Sequence, residues 1–144
     1  MNIEQFKENL SSVKAALGKL LKEVGYLDFG DLSYLEFTKG IPEENFIAQE
    51  ADTIARLSNA LYDKLDYLSL PIKEEGELEQ LAGGELYLNG EPLRCGDILE
   101  VYCLDDSEDY YTWKITHVEH TEDRGYFLFG FSNCSIHGLP CRTR

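Results

Sequence analysis

The apolar residues of this chain change their period once, near residue 70, and that single break limits what the chain can fold into. Before it they recur every three or four positions; after it they fall into short runs rich in β-branched and aromatic residues. The first period is that of a helix with one apolar stripe, the second that of short strands. The expected class is therefore α+β, with a helical hairpin over residues 1–70, a linker at 71–84 and a small β-domain over 85–144.

In the first segment Ile3, Phe6, Leu10, Val13, Leu17, Leu20 and Val24 form one seam, with Gly25 placed for a left-handed helix end. A second helix is expected to begin near Pro42, followed by Glu43 and Glu44, which suit the positive end of the helix dipole. Its seam is Ile47, Ala51, Ile54, Ser58, Leu61, Leu65 and Leu68, widened by Leu57 and ended by Pro71. Two such seams predict an antiparallel hairpin in preference to a dimeric coiled coil, because each helix holds fewer than four heptads. The apolar connection over residues 25–41 is expected to fold over the end of the hairpin, with a helical turn at residues 32–37.

Residues 71–84 read as a linker or lead-in strand. Beyond them, Asn89-Gly90 marks a tight hairpin because both residues accept positive φ. Runs at residues 98–104, 110–121 and 126–131, and a closing edge at 139–144, complete about five antiparallel strands. A small SH3-like barrel or a strongly curled sheet is expected.

Charge bears on function more than on fold. The chain carries 27 Asp and Glu against 13 Lys and Arg, a net charge of −14. Disorder is the common reason for such acidity, but 12 % aromatic residues argue for a packed chain. A surface of this sign suits neither nucleic acid nor anionic membranes, both of which are bound by clustered Lys and Arg. No apolar run is long enough to span a bilayer and no signal peptide is read, so a cytoplasmic setting is expected, with Cys95, Cys103, Cys134 and Cys141 as reduced thiols.

Two acidic clusters stand out: Glu74, Glu75, Glu77 and Glu79, and Asp105, Asp106, Glu108 and Asp109. They set carboxylates a few ångströms apart, comparable to phosphates along a strand. Tyr110 and Tyr111 adjoin the second cluster and supply the aromatic anchors that interfaces favour. The structural alternative for either cluster is a solvated polar turn. The cluster at 105–109 also offers oxygen ligands for a divalent cation, but lacks the spacing of a calcium loop. Cys134, His137 and Cys141 with Cys95 or Cys103 compose a zinc set on paper. His117 and His120, three apart on a strand, point to opposite faces. No nucleophile motif or phosphate loop is present, and neither catalytic residues nor a cofactor are expected.

The run Glu85-Leu86-Tyr87-Leu88-Asn89-Gly90, then Leu93-Arg94-Cys95-Gly96-Asp97 with Leu99-Glu100-Val101, is followed by Trp113, Val118-Glu119-His120, Tyr126, Gly138-Leu139 and Arg142. In these residues the chain resembles a family of uncharacterised proteins carried by phages, plasmids and conjugative elements of Firmicutes, in which an acidic helical hairpin precedes a β-domain. The resemblance covers roughly residues 70–144. It implies a mobile-element accessory protein, and by analogy of context and charge an anti-CRISPR protein that mimics nucleic acid. The partner expected on this reading is a basic nucleic-acid-handling protein such as a Cas9-type effector with guide RNA, whose DNA-reading Arg side chains carboxylates would capture. The competing expectations are a divalent-metal-dependent nuclease-type inhibitor and a non-catalytic interaction module, monomeric or dimeric.

Overall fold

The computed structural model describes residues 1–105, 107–131 and 135–144. The chain divides into two compact units, Met1–Leu70 and Pro71–Arg144.

The first unit is helix-rich. Helix α1, Ile3–Glu23, starts at Asn2, whose side-chain oxygen accepts from the Gln5 N–H at 2.9 Å while the Gln5 side chain accepts from the Asn2 N–H at 3.0 Å. This reciprocal cap satisfies two donors that the first turn leaves open. The helix stops where Gly25 takes φ +90° and its N–H reaches the Lys22 carbonyl at 3.1 Å. Helix α2, Tyr26–Phe29, is a single turn between two left-handed glycines, Gly25 and Gly30. The helical turn therefore lies earlier than the expected residues 32–37, because the paired glycines set its limits. Helix α3, Pro42–Ser69, runs to the residues just before Pro71.

Helices α1 and α3 touch along one face of each. Lys14 meets Asp66 at 2.7 Å and Ser69 at 2.9 Å, and Gly18 lies against the Tyr62 ring, where an added Cβ would stand 2.9 Å from the nearest ring carbon. Leu21, Ala55 and Leu65 are buried.

The second unit is a curled antiparallel sheet, a half-barrel. Its strands are β1 Glu74–Gln80, β2 Leu86–Leu88, β3 Glu91–Pro92, β4 Ile98–Asp105, β5 Tyr110–Thr121, β6 Gly125–Leu128 and β7 Pro140–Thr143. They lie in the order β3-β2-β1-β7-β4-β5-β6. Seven strands replace the expected five or so. Part of the difference is β1, which forms within the segment read as a linker or lead-in strand. Its sequence Glu-Glu-Gly-Glu-Leu-Glu-Gln has a single large apolar residue, Leu78, so its alternation is nearly silent. The last strand also departs from expectation. Instead of closing an edge, β7 lies at the centre of the sheet between β1 and β4.

The two-residue Asn89-Gly90 turn joins β2 to β3, with φ +51° and +80° at its two positions. Leu78, Leu86, Leu88, Leu99, Val101, Val118, Leu128, Ile136 and Cys141 pack into one core on one face of the sheet. Gly76, paired with Cys141, is pinned from that side by the Asn89 side chain, which donates to the Glu75 carbonyl at 3.3 Å. Gly76→Ala would place its Cβ against the Asn89 amide oxygen. It is expected to cost about 1–3 kcal/mol, the usual range for overpacking, measured by urea unfolding.

Candidate functional site

In an antiparallel pair, residues directly opposite one another share a face. The registers Ile98↔His117, Glu100↔Ile115, Tyr102↔Trp113 and Leu104↔Tyr111 therefore place eight side chains on the face of β4 and β5 away from the core. The pairing Glu100↔Arg142 extends this face to β7, and Glu75↔Arg142 extends it to β1. One transverse row thus runs Glu75, Arg142, Glu100, Ile115.

The face carries an aromatic stripe. Tyr102 lies 5.2 Å from Trp113 and 5.7 Å from Tyr111, centroid to centroid, and the Arg142 guanidinium sits 4.1 Å above the Trp113 ring. Further along, His117 stacks on Phe129 at 4.9 Å and its Nε2 is 3.0 Å from the Glu119 carboxylate. Tyr102, Leu104, Tyr111 and Phe129 remain exposed, and so does Tyr110, whose pairing with Asp105 puts it on the opposite face.

At the centre of the row sits Glu100, 2 % exposed. Its two oxygens accept from separate guanidiniums: Arg142 Nε on one, Arg144 Nε at 2.6 Å on the other. Burial alone would push the carboxyl up. The hydrogen bonds and charges of Arg144 and Arg142 outweigh it and hold Glu100 below the ordinary carboxylate range. The two arginines nearest the chain end are thus spent on an internal carboxylate.

The acids singled out from the sequence divide into distinct environments. Alternation along β1 puts Glu75, Glu77 and Glu79 on the outward face, all exposed, with Leu78 inward. Glu74 falls on the other side, 3.3 Å from the Asn89 amide nitrogen. In the β4–β5 turn, Asp105 is turned back on its own loop. It accepts from the Ser107 hydroxyl at 2.5 Å and the Ser107 N–H at 2.9 Å, and it lies 3.7 Å from Lys114. Those contacts, the Ser107 bonds foremost, lower its pKa. Asp109 occupies a left-handed conformation at φ +54°, with its N–H on the Asp105 carbonyl at 3.0 Å. Glu108, Tyr110 and Tyr111 are exposed beside it. Asp106 lies outside the described residues.

The sheet therefore brings Glu75, Glu77 and Glu79 together as a row and leaves the turn acids as a separate group at the end of β4. Sequence reasoning passed over Glu100 as a site residue and left Arg142 and Arg144 without a partner. A Glu between Leu99 and Val101, in a run otherwise apolar, was the available signal: a carboxylate at a buried strand position needs a cation.

Among the described residues, no three His, Cys, Asp or Glu side chains converge as a metal site. Cys134, part of the zinc set read from sequence, lies outside the described residues. Cys141 is fully buried, and burial pushes its thiol pKa up to about 11, so it stays protonated and unreactive. Among the described residues no helix is long and apolar enough to cross a membrane.

A domain family described as a domain of unknown function, DUF5348, matches residues 70–143. No curated protein matches the chain, and no solved structure does.

Proposed function

We propose, from the premise that the chain belongs to the DUF5348 family, that it is a non-enzymatic, acidic interaction module that engages a basic nucleic-acid-handling protein. The observation that carries this reading is how charge is distributed over the second unit. That unit has 15 acids and 6 bases. Of its bases, Arg142 and Arg144 bind Glu100, Lys114 faces Asp105, and Arg124 lies over the Phe127 ring at 3.9 Å. Glu75, Glu77 and Glu79 meanwhile project from one strand face at a repeat of about 6.6 Å, twice the rise per residue. Three of the six bases are thus held against carboxylates, while the acids of the β1 row stand exposed.

A cationic groove built for phosphates would attract such a row and bind it with a strong salt dependence. Tyr110 and Tyr111, exposed beside Glu108, supply apolar contact at the second acidic group. In this reading α1 and α3 form an antiparallel helical hairpin, and the protein is an accessory factor of a mobile element. The partner its chemistry suits best is a Cas9-type effector with guide RNA, whose DNA-reading arginines the carboxylates would occupy.

The test is direct competition. Purified protein is titrated into a Cas9-type effector carrying guide RNA, and DNA binding is measured at low and high salt. Loss of DNA binding that is relieved by salt supports the proposal. DNA binding unaffected at saturating protein removes that partner, and a pull-down from host lysate resolved by salt then identifies whether any basic protein takes its place. Metal-dependent cleavage of the RNA, abolished by EDTA, would replace the proposal with a nuclease.

A further inference from the structure

The outward face of the sheet carries one transverse row of side chains whose spacing selects a ligand. Tyr102 stands opposite Trp113 across the β4–β5 pair, and Glu77 stands opposite Pro140 across the β1–β7 pair. Between β4 and β7 the register runs Glu100↔Arg142 and Val101↔Cys141, so its next step sets Tyr102 level with Pro140. The row therefore reads Trp113, Tyr102, Pro140, Glu77. Arg142 lies over the Trp113 ring from the neighbouring row, which leaves Tyr102 and the adjoining Tyr111, 38 % and 61 % exposed, as the open rings. These two rings are tilted by 31° to each other, and Tyr102 and Trp113 by 50°, so the surface is ridged rather than flat. At the other end of the row Glu77 is exposed and makes no ion pair among the described residues.

We propose that this row docks a proline-rich basic segment of a partner protein in polyproline II conformation, with a proline on Tyr102 and Tyr111 and an arginine three residues away on Glu77. The proposal deepens the reading above, on which it rests for a basic partner, by giving that partner's shape and sequence. Charge sets the sign of the occupant. A second copy of a chain at −14 would bring acidic face against acidic face, and nucleic acid carries the same sign. The face already holds one guanidinium by the same means, since Arg142 binds the Glu100 carboxylate and lies 4.1 Å from the Trp113 centroid. Distance sets the conformation. Tyr102 and Glu77 are two strand spacings apart, about 9.6 Å. Polyproline II has three residues per turn and rises about 3.1 Å per residue, so residues three apart face the same way about 9.3 Å from each other. A strand repeats on one face at about 6.6 and 13 Å, and a helix at about 6 and 10.5 Å, so polyproline II fits the span most closely. A proline-rich segment also comes preordered with its backbone hydrated, which suits a sheet face that offers ring surfaces rather than an edge.

The experiment is a nuclear magnetic resonance titration of the isotope-labelled full chain with the blocked peptide acetyl-Ala-Pro-Pro-Ala-Arg-Pro-Pro-Ala-amide. The chain has one tryptophan, so the Trp113 indole N–H is a single reporter at the row. It and the amides of Tyr102 and Glu77 are expected to shift, with a dissociation constant on the order of 100 µM. Glu77→Gln, at an exposed position, should weaken binding about tenfold, as the loss of one charge-assisted hydrogen bond does. Replacing the peptide's arginine with glutamine should weaken it equally, and the two changes together no more than either alone. Glu91→Gln, exposed on β3, should change nothing. Equal binding by a peptide with alanine in place of every proline would overturn the proposal, because a basic segment of any shape would then suffice. So would an absence of shifts at millimolar peptide, or a loss for Glu77→Gln no larger than for Glu91→Gln. Shifts at these residues that grow with protein concentration alone would assign the face to a second copy and overturn it too. The probe is a free peptide, so its failure leaves the competition with a Cas9-type effector untouched, and a failed competition leaves this site standing.

Discussion

Glu100→Ala is expected to lose about 3–5 kcal/mol of stability, the cost of stripping one partner from a buried ion pair. The carboxylate binds two guanidiniums, one on each oxygen, at the junction of β4 and β7, in the middle of the sheet. Without it, Arg142 and Arg144, themselves only 17 % and 16 % exposed, lose the carboxylate that both guanidiniums bind. The loss is a large share of the 5–15 kcal/mol that a small domain possesses. Urea unfolding read at Trp113, which packs under Arg142, measures it. Glu100→Gln keeps the shape and an acceptor and should lose less, about 1–3 kcal/mol. A loss under 1 kcal/mol for Glu100→Ala would show that the arginines reach solvent at little cost.

The same carboxylate makes stability depend on acid. Its pKa is lowered in the folded state, so its contribution is complete above the ordinary value of 4.5. That contribution is lost as pH falls below 4.5 and through the folded pKa. The wild type should therefore weaken on acidification through that window, and Glu100→Gln should remove part of the dependence. Identical acid profiles for the two proteins would show that the pairing contributes nothing to it.

The second large effect is on partner binding. Reversing Glu75, Glu77 and Glu79 to Lys changes the charge of the β1 face by about six units, counting two per reversal. If a cationic groove is the target, affinity should fall by about 10²-fold or more, chiefly through slower association at low salt. These positions are exposed and outward, so the fold should persist, which circular dichroism checks. The turn acids need a more selective design. Asp105 organises its loop through Ser107, and Asp109 sits at positive φ, so reversing either disturbs the backbone as well as the charge. Glu108→Lys with Tyr111→Ala probes that end cleanly. Binding unaltered by both sets would exclude the acidic faces as the contact.

Several features of the fold could be read directly along the chain. Both long helices, the Asn89-Gly90 hairpin and the strands β4 and β5 follow from local rules: a repeating apolar period, a residue that caps, a residue that tolerates positive φ. The candidate site was legible only in part. The acids were visible as clusters, yet their division into an outward row on β1 and a self-satisfied turn after β4 depends on which face each strand turns to the core.

What the order of residues settled on its own, then, is the class of each segment and the excess of negative charge, because period and composition act over a few neighbouring residues. The place of β7 at the centre of the sheet, the membership of β1 and the clamp of Glu100 by Arg142 and Arg144 were decided by the tertiary structure. Each depends on contacts between residues 40 or more positions apart. Pairing at that distance is chosen by burying Leu78 and Cys141 together and by giving a buried carboxylate its cations, and no local signal says which distant residues meet either requirement.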